Sequence, residues 1–108
     1  MVKFKKLNDL LGNNEKVINR FLALYYEKVP ELMVQLKDQL VNKQYPKASI
    51  TAHEIKNQSA YLGLEEVVKL ASIIEVQAES GKDVQDKSIY IQLLQKVNEA
   101  LIEIKNTL

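Results

Sequence analysis

One apolar stripe constrains the fold of this chain more than any other feature. Between Ile18 and Leu40, apolar residues recur at steps of three and four, the spacing that places side chains on one face of an α-helix. The stripe consists of Ile18, Leu22, Tyr25, Val29, Leu32, Leu36 and Leu40. Because it stays in phase across Pro30, we predict one long helix that is kinked at the proline, rather than two separate helices.

Glycine and proline mark the ends of two more helices. A short leading helix is predicted over Val2–Leu11, because Gly12 is of the residue type that commonly ends helices. Another helix is predicted to begin at Pro46, since proline suits the first helical turn, and to run to about Leu62. Gly63 then stands where a left-handed residue commonly terminates a helix.

Two further amphipathic helices account for the C-terminal part of the chain. Gly81 closes the first, and Asp83, with Asp86 three residues later, is predicted to cap the second. Their apolar positions are Leu64, Val67, Ala71, Ile74 and Ala78, followed by Tyr90, Leu93, Val97, Leu101, Ile104 and Leu108. Four long helices with short turns predict an all-α fold, an antiparallel four-helix bundle with a short additional N-terminal helix. We expect residues 1–108 to form one domain, with the core bundle over residues 14–108.

Charge and hydropathy argue against several classes of protein. The chain has 15 basic and 14 acidic residues, and a net charge of +1 gives no basis for binding nucleic acid or an anionic membrane. The longest apolar run, Phe21–Tyr26, is far shorter than the roughly 20 residues of a membrane-spanning helix. No apolar segment follows the basic N-terminus, so no signal peptide is predicted. A chain without cysteine suits a reducing compartment, and we expect a cytoplasmic protein.

The residue types that build autonomous active sites are also missing. One histidine and no cysteine cannot form a usual zinc or haem site, so no metal ligands are predicted. No glycine-rich phosphate loop is present, and we therefore expect neither an ATP site nor kinase activity.

The only histidine, His53, is predicted to face solvent. With Ile55 at the centre of the buried face of its helix and about 100° of rotation per residue, His53 falls about 160° away. The buried face consists of Ala48, Thr51, Ala52, Ile55, Ser59 and Leu62. An imidazole near pH 7 is a neutral nucleophile with one ring nitrogen free to attack, so an exposed histidine on a rigid helix can take up a phosphoryl group.

The neighbours of His53 on the outward face predict a docking surface. They are Ser49, Ile50, Asn57, Ala60 and Tyr61. Aliphatic side chains on a face that should be wet are typical of a contact with another protein, although scattered surface residues would give the same pattern. Lys56 follows His53 by three residues, so its ammonium group can approach an anion held on the imidazole, at a gain of about 0.2–1 kcal/mol.

The segment from Ala52 to Gly63 resembles the signature of histidine-containing phosphotransfer (HPt) domains. In that signature a lysine follows the histidine by three residues, a glycine by four, a serine or alanine by six and a second glycine by ten. The residues that fit it are His53, Lys56, Ser59 and Gly63. Leu64–Glu75 resembles the next helix of the family, with Leu70 and Glu75 where a leucine and a glutamate are usual. The helix from Phe21 to Leu40, with its internal proline, resembles the preceding one, so that the resemblance covers residues 14–108.

The resemblance implies a role for each matching residue. HPt domains are four-helix bundles that carry phosphoryl groups between the aspartates of receiver domains in multistep two-component phosphorelays. His53 would be the phosphorylated residue and Lys56 the nearby positive charge, while Ser59 and Gly63 would serve packing. The implied partners are response-regulator receiver domains and a hybrid histidine kinase. The chain would bind no cofactor, because the receiver supplies the magnesium ion. We expect a monomer, since one bundle uses every apolar stripe.

One position departs from the family pattern. Asn57 stands where the family usually has the first glycine of the signature, about 40° around the helix from His53. Its amide would obstruct some receivers or would donate a hydrogen bond to phosphoryl oxygens, and we expect it to narrow the choice of partners. The alternative is a degenerate helical interaction module that has kept the fold and lost phosphotransfer.

Overall fold

The computed structural model describes residues 4–81 and 87–108, and within them the chain forms five α-helices and no strand. They are α1 (Lys5–Leu11), α2 (Glu15–Val41), α3 (Tyr45–Tyr61), α4 (Glu65–Glu79) and α5 (Ser88–Thr107). The prediction of an all-α bundle of four long helices with a short additional N-terminal helix is confirmed. The predicted cap formed by Asp83 and Asp86 lies outside the described residues.

The start of α2 and its passage through Pro30 follow the sequence signals. The side chain of Asn14 caps the helix, because its Oδ1 accepts a hydrogen bond from the backbone N–H of Val17 at 3.3 Å. Pro30 lies inside α2, which is a single helix as predicted. The apolar stripe supplies most of the residues that α2 buries, so tertiary packing outweighs the helix-breaking tendency of the proline.

The starts of α1 and α3 can be compared with the predictions. The predicted start of the first helix at Val2 lies outside the described residues; α1 begins at Lys5, after Phe4, whose left-handed backbone conformation (φ 58°) a helix cannot continue through. That conformation accompanies the burial of the Phe4 side chain in the core. Helix α3 begins at Tyr45, one residue before Pro46, which still lies in the first turn where its missing N–H costs nothing.

Gly63 makes the tight turn between α3 and α4. It has a positive φ of 73°, and the backbone N–H of Leu64 donates to the carbonyl of Ser59 at 3.1 Å, which closes the end of α3. A Cβ at this position would lie 3.1 Å from the Cβ of Lys6 on α1. A side chain is therefore disfavoured twice, by backbone strain and by the approach of the leading helix.

The core lies between the four long helices and extends under α1. Helix α3 packs most extensively against α4 and next against α2. The fully buried side chains with the largest volumes are Tyr25, Leu7, Leu22, Leu36, Ile55, Ile74, Leu93 and Ile104. On α3 the buried face also contains Ala48 and Ala52, whose small side chains let the neighbouring helices approach closely. As a result, α3 is held on two sides while its third side faces solvent.

A buried hydrogen bond joins α2 to α3. The hydroxyl groups of Tyr25 and Ser59 lie 2.8 Å apart in the core, and both residues are almost completely buried. Burial raises the pKa of Tyr25 to about 12, and the hydrogen bond to Ser59 offsets part of that rise. Each hydroxyl satisfies the other where no water can replace it.

We expect Ser59→Ala to destabilise the fold by about 1–2 kcal/mol, because it leaves the Tyr25 hydroxyl buried without a partner. Tyr25→Phe should cost about 1 kcal/mol, since the Ser59 hydroxyl can turn to a backbone carbonyl of its own helix. The double variant should lose less free energy of unfolding than the two single variants lose together. Urea unfolding followed by circular dichroism measures all three. Ser72→Ala on α4 is the control for helix propensity, and a Ser59→Ala variant as stable as this control would contradict the prediction.

Candidate functional site

His53 lies in the middle of α3 on the side that faces solvent. Its side chain is 52% exposed, whereas Ala52 and Ile55 on the opposite side of the helix are completely buried. The exposure follows from the helical period, because the apolar and small residues of α3 occupy the arc that the other helices cover. The imidazole can therefore be reached by another macromolecule.

A carboxylate from the neighbouring helix holds one side of the imidazole. Oε2 of Glu75 on α4 lies 2.6 Å from Nδ1 of His53, and Oε1 of the same carboxylate accepts a hydrogen bond from Nζ of Lys56 at 2.6 Å. The Glu75 side chain is only 11% exposed, so α3 and α4 cover it. One acidic group thus joins the two site residues that were predicted from α3.

The protonation of this cluster follows from the pKa of Glu75. Burial raises that pKa, but the hydrogen bonds and positive charge of Lys56 and His53 outweigh burial and hold it below the usual value of 4.5. An ionised carboxylate has no proton to donate, so near neutral pH it can only accept. The proton of the bond therefore belongs to Nδ1, so in the neutral form of the ring it is Nε2 that carries the free lone pair. Nucleophilic attack from this site would come from Nε2.

Lys56 lies three residues after His53, and its side chain is 25% exposed. Its ammonium group is bonded to Glu75, which the sequence did not predict as its partner. An ammonium group has three N–H donors, so the bond to Glu75 leaves donors for an anion beside it.

Four of the five predicted docking residues are accessible on α3. Ile50 is 70% exposed and Tyr61 is 55% exposed, Asn57 is also exposed, and Ala60 is half-buried. Ser49 is only 8% exposed, and its prediction as a residue of the outward face is wrong. Ser49 precedes Lys56 by two helical turns, so it lies on the side of α3 from which Lys56 reaches α4, and α4 covers that side.

Sequence reasoning missed two features of this region. The first is the contact of Glu75, which the family resemblance had located in the chain without a function; only the packing of α4 on α3 brings it to His53. The second is an apolar groove of about 560 Å³ between α1, α2 and α3. It is lined by Leu7, Leu10, Leu11, Phe21, Leu24, Lys28, Gln58, Tyr61 and Leu62. No single helix shows it, because three helices contribute its walls.

Residues 4–81 and 87–108 contain neither a candidate metal site nor a candidate membrane span. No group of three or more histidine, aspartate or glutamate side chains there could hold a metal ion. Over the same ranges, no helix is both long enough and apolar enough to span a bilayer.

Comparison with known families agrees with this arrangement. The family model described as "Hpt domain" matches residues 20–107, which include the exposed histidine of α3 and most of the helical bundle. The chain belongs to the Hpt domain family. Members of this family are phosphocarriers rather than catalysts, and they interact with response-regulator receivers in two-component phosphorelays. Neither the search of curated proteins nor the search of solved structures gave a match.

The lowered pKa of Glu75 predicts a pH-dependent contribution to stability. Because the folded state favours the ionised form, the contribution is present above pH 4.5 and is lost as the pH falls through the lower pKa of the folded state. We expect Glu75→Gln to destabilise the fold by about 1–2 kcal/mol at neutral pH and by progressively less as the pH falls through the lowered pKa of Glu75 in the folded state. Urea unfolding at several pH values measures the difference. Glu79→Gln, an exposed position one turn further along α4, is the control, and a Glu75→Gln deficit that persists unchanged in acid would contradict the assignment.

Proposed function

We propose that this chain is a histidine phosphocarrier whose phosphoacceptor is His53. The observation that carries the proposal is an exposed imidazole whose Nδ1 is bonded to the carboxylate of Glu75, which leaves Nε2 as the nucleophile. Nε2 attacks the phosphorus of an aspartyl phosphate on a receiver domain, and the aspartate leaves as a carboxylate. The phosphorylated His53 then gives the group to the aspartate of another receiver.

Lys56 supplies positive charge for this reaction. A phosphoryl group on Nε2 adds about two negative charges to the surface of α3. The ammonium group of Lys56 is bonded to the same carboxylate as the imidazole, so it lies close to the ring and has N–H donors to spare. Because the pair is partly exposed to water, its contribution is modest, and Lys56 assists the transfer rather than driving it.

The partners that we propose are receiver domains of response regulators and of a hybrid histidine kinase. The receiver brings the aspartate, and we expect it also to bring the magnesium ion, while this chain brings the nucleophile alone. We place the exchange in the cytoplasm, with the chain as a monomer and without an ATP site of its own. Ile50, Ala60 and Tyr61 form an accessible, largely apolar surface around His53 on which a receiver can dock.

A phosphotransfer assay tests the proposal. The chain is mixed with a receiver domain that carries an aspartyl phosphate, in the presence of magnesium, and label is followed onto the chain. We expect acid-labile label on the wild type, none on His53→Gln, and a transfer several-fold slower on Lys56→Gln. Lys37→Gln, which removes an exposed charge on α2, is the control. Label that persists on His53→Gln, or that never forms on the wild type with any receiver of the source genome, would refute the carrier function.

Asn57 supports a second candidate, a helical interaction module without phosphotransfer. It is exposed one turn after His53, so its amide stands on the face that a receiver must approach. A receiver that carries its aspartate in a recess would meet this side chain before its aspartate reached Nε2. The same position makes Asn57 a selector of partners if transfer does occur.

Trimming Asn57 tests whether its side chain limits the access of receivers to His53. We expect Asn57→Ala to accelerate transfer several-fold from receivers that react slowly with the wild type, because the shorter alanine side chain projects less from the surface beside the imidazole. Asn57→Gly should act in the same direction at a stability cost of about 0.5–1 kcal/mol relative to alanine. Asn98→Ala on α5, an exposed amide on a helix that is not among those packed closely on α3, is the control. Equal or slower transfer by Asn57→Ala with every receiver would rule out a selecting role.

A further inference from the structure

A charged side chain lies in the middle of the largely apolar docking surface. Ile50, Glu54 and Tyr61 fall within about 40° of one another around α3, at roughly 100° of rotation per residue. Ile50 and Tyr61 are both exposed, and Glu54 lies between them along the axis of the helix. A partner that contacts both of these side chains therefore also covers the carboxylate of Glu54.

Lys28 on α2 faces this carboxylate from the neighbouring helix. Its Nζ lies 4.0 Å from Oε1 of Glu54, and the two side chains are 52% and 45% exposed. A separation of 4.0 Å is too long for a hydrogen bond, so each group keeps its hydrogen-bonding capacity for another molecule. The ion pair between Lys56 and Glu75 is different, because it is closed by a 2.6 Å hydrogen bond and its carboxylate is largely covered.

The same pair stands at one end of the apolar groove between α1, α2 and α3. Lys28 and Gln58 line this end, whereas leucine and phenylalanine side chains line the end formed by α1 and the start of α2. Within the described residues, Lys28 is the one charged side chain of the lining. Tyr61 belongs both to the groove and to the docking surface, so a partner that extends into the groove meets the ammonium group as well as the carboxylate.

Docking changes the energetics of these two charges. In the free chain the exposed ion pair contributes little, because water screens it. When a partner covers the pair, both charges lose part of their hydration, and groups of opposite charge on the partner offset that loss. Groups of like charge in the same places are repelled. A half-exposed ion pair inside an apolar surface therefore discriminates between partners, whereas the apolar side chains around it do not.

Resting on the proposed function, we propose that Lys28 and Glu54 determine which receiver domains dock on this chain. The carboxylate lies on α3 next to His53 and the ammonium group lies on α2, so the pair has a direction across the docking surface. A receiver that fits carries a basic side chain opposite Glu54 and an acidic side chain opposite Lys28. A receiver with the reverse arrangement binds more weakly.

Exchange of the two charges tests this direction. The double variant Lys28→Glu/Glu54→Lys keeps an ion pair between α2 and α3 but reverses its direction toward a partner. The matched control is Lys96→Glu/Glu66→Lys, which exchanges an ion pair between α5 and α4 outside the docking surface.

Two measurements are made on each variant with the receiver domains of the source genome. Titrations followed by ¹⁵N NMR give the dissociation constants of the unphosphorylated receivers, and label on His53 gives the transfer from their phosphorylated forms. Urea unfolding followed by circular dichroism establishes that each variant is folded before its binding is compared.

We expect the receivers that bind the wild type best to bind the double variant about tenfold more weakly. At least one receiver that binds the wild type poorly should gain by a similar factor, because its charges now face groups of opposite sign. Each single variant should also weaken the best receivers, and the control should leave the order of receivers unchanged. In about 1 M salt, where the Debye length falls to ~3 Å, the differences should shrink to less than about twofold.

The outcomes separate this inference from the carrier function. Unchanged binding of every receiver by the double variant, or an equal loss with all of them, would overturn the role of the pair even if receivers label His53 normally. Losses in both single variants that the double variant restores would show that the pair only joins α2 to α3, and would overturn it as well. A changed order of receivers, with no label on His53 from any of them, would support the role of the pair and overturn the carrier function. Absence of binding between the wild type and every receiver would overturn both.

Discussion

The hydrogen bond between Glu75 and His53 is the contact on which the geometry of the candidate site depends. An exposed imidazole on an isolated helix would interchange its two tautomers and rotate about its side-chain bonds. The carboxylate from α4 fixes both, because the ring nitrogen that it contacts is Nδ1 and because a second hydrogen bond, from Lys56, holds the carboxylate in place. The packing of α4 on α3 is therefore part of the site, and the small residues that let these helices approach contribute to the position of the nucleophile.

The same contact explains how a site can be both exposed and ordered. His53 presents half of its side chain to solvent, while its anchor is nine-tenths covered. The hydrogen bond that fixes the ring is thus shielded from water on the side of Glu75. Nε2, the atom that a partner must reach, remains open to solvent. A histidine buried more deeply would be better ordered but unreachable, and one without the α4 carboxylate would be reachable but poorly oriented.

Helical periodicity was sufficient to predict the fold and the outward direction of His53, because both follow from which residues share the apolar face of each helix. It could not predict the partner of Lys56 or the burial of Ser49, since both depend on where α4 lies around α3. The apolar groove could not be predicted either, because its lining residues Leu10, Phe21 and Tyr61 come from three different helices. The family resemblance located Glu75 in the chain, but only the fold brings its carboxylate within 2.6 Å of Nδ1.

The surroundings of His53 also define what a partner has to contribute. A phosphoryl group in transfer carries about two negative charges. The positive charge of Lys56 is already partly neutralised by its ion pair with Glu75. In the proposed reaction the remaining positive charge would come from the molecule that meets Nε2, and a receiver with a bound divalent ion would supply it. An apolar docking surface suits this division, because Ile50 and Tyr61 can orient a partner without attracting or repelling the charges of the reacting group. In the proposed reaction the chain would thus provide the nucleophile, and its partner would provide most of the electrostatic stabilisation of the transferred group.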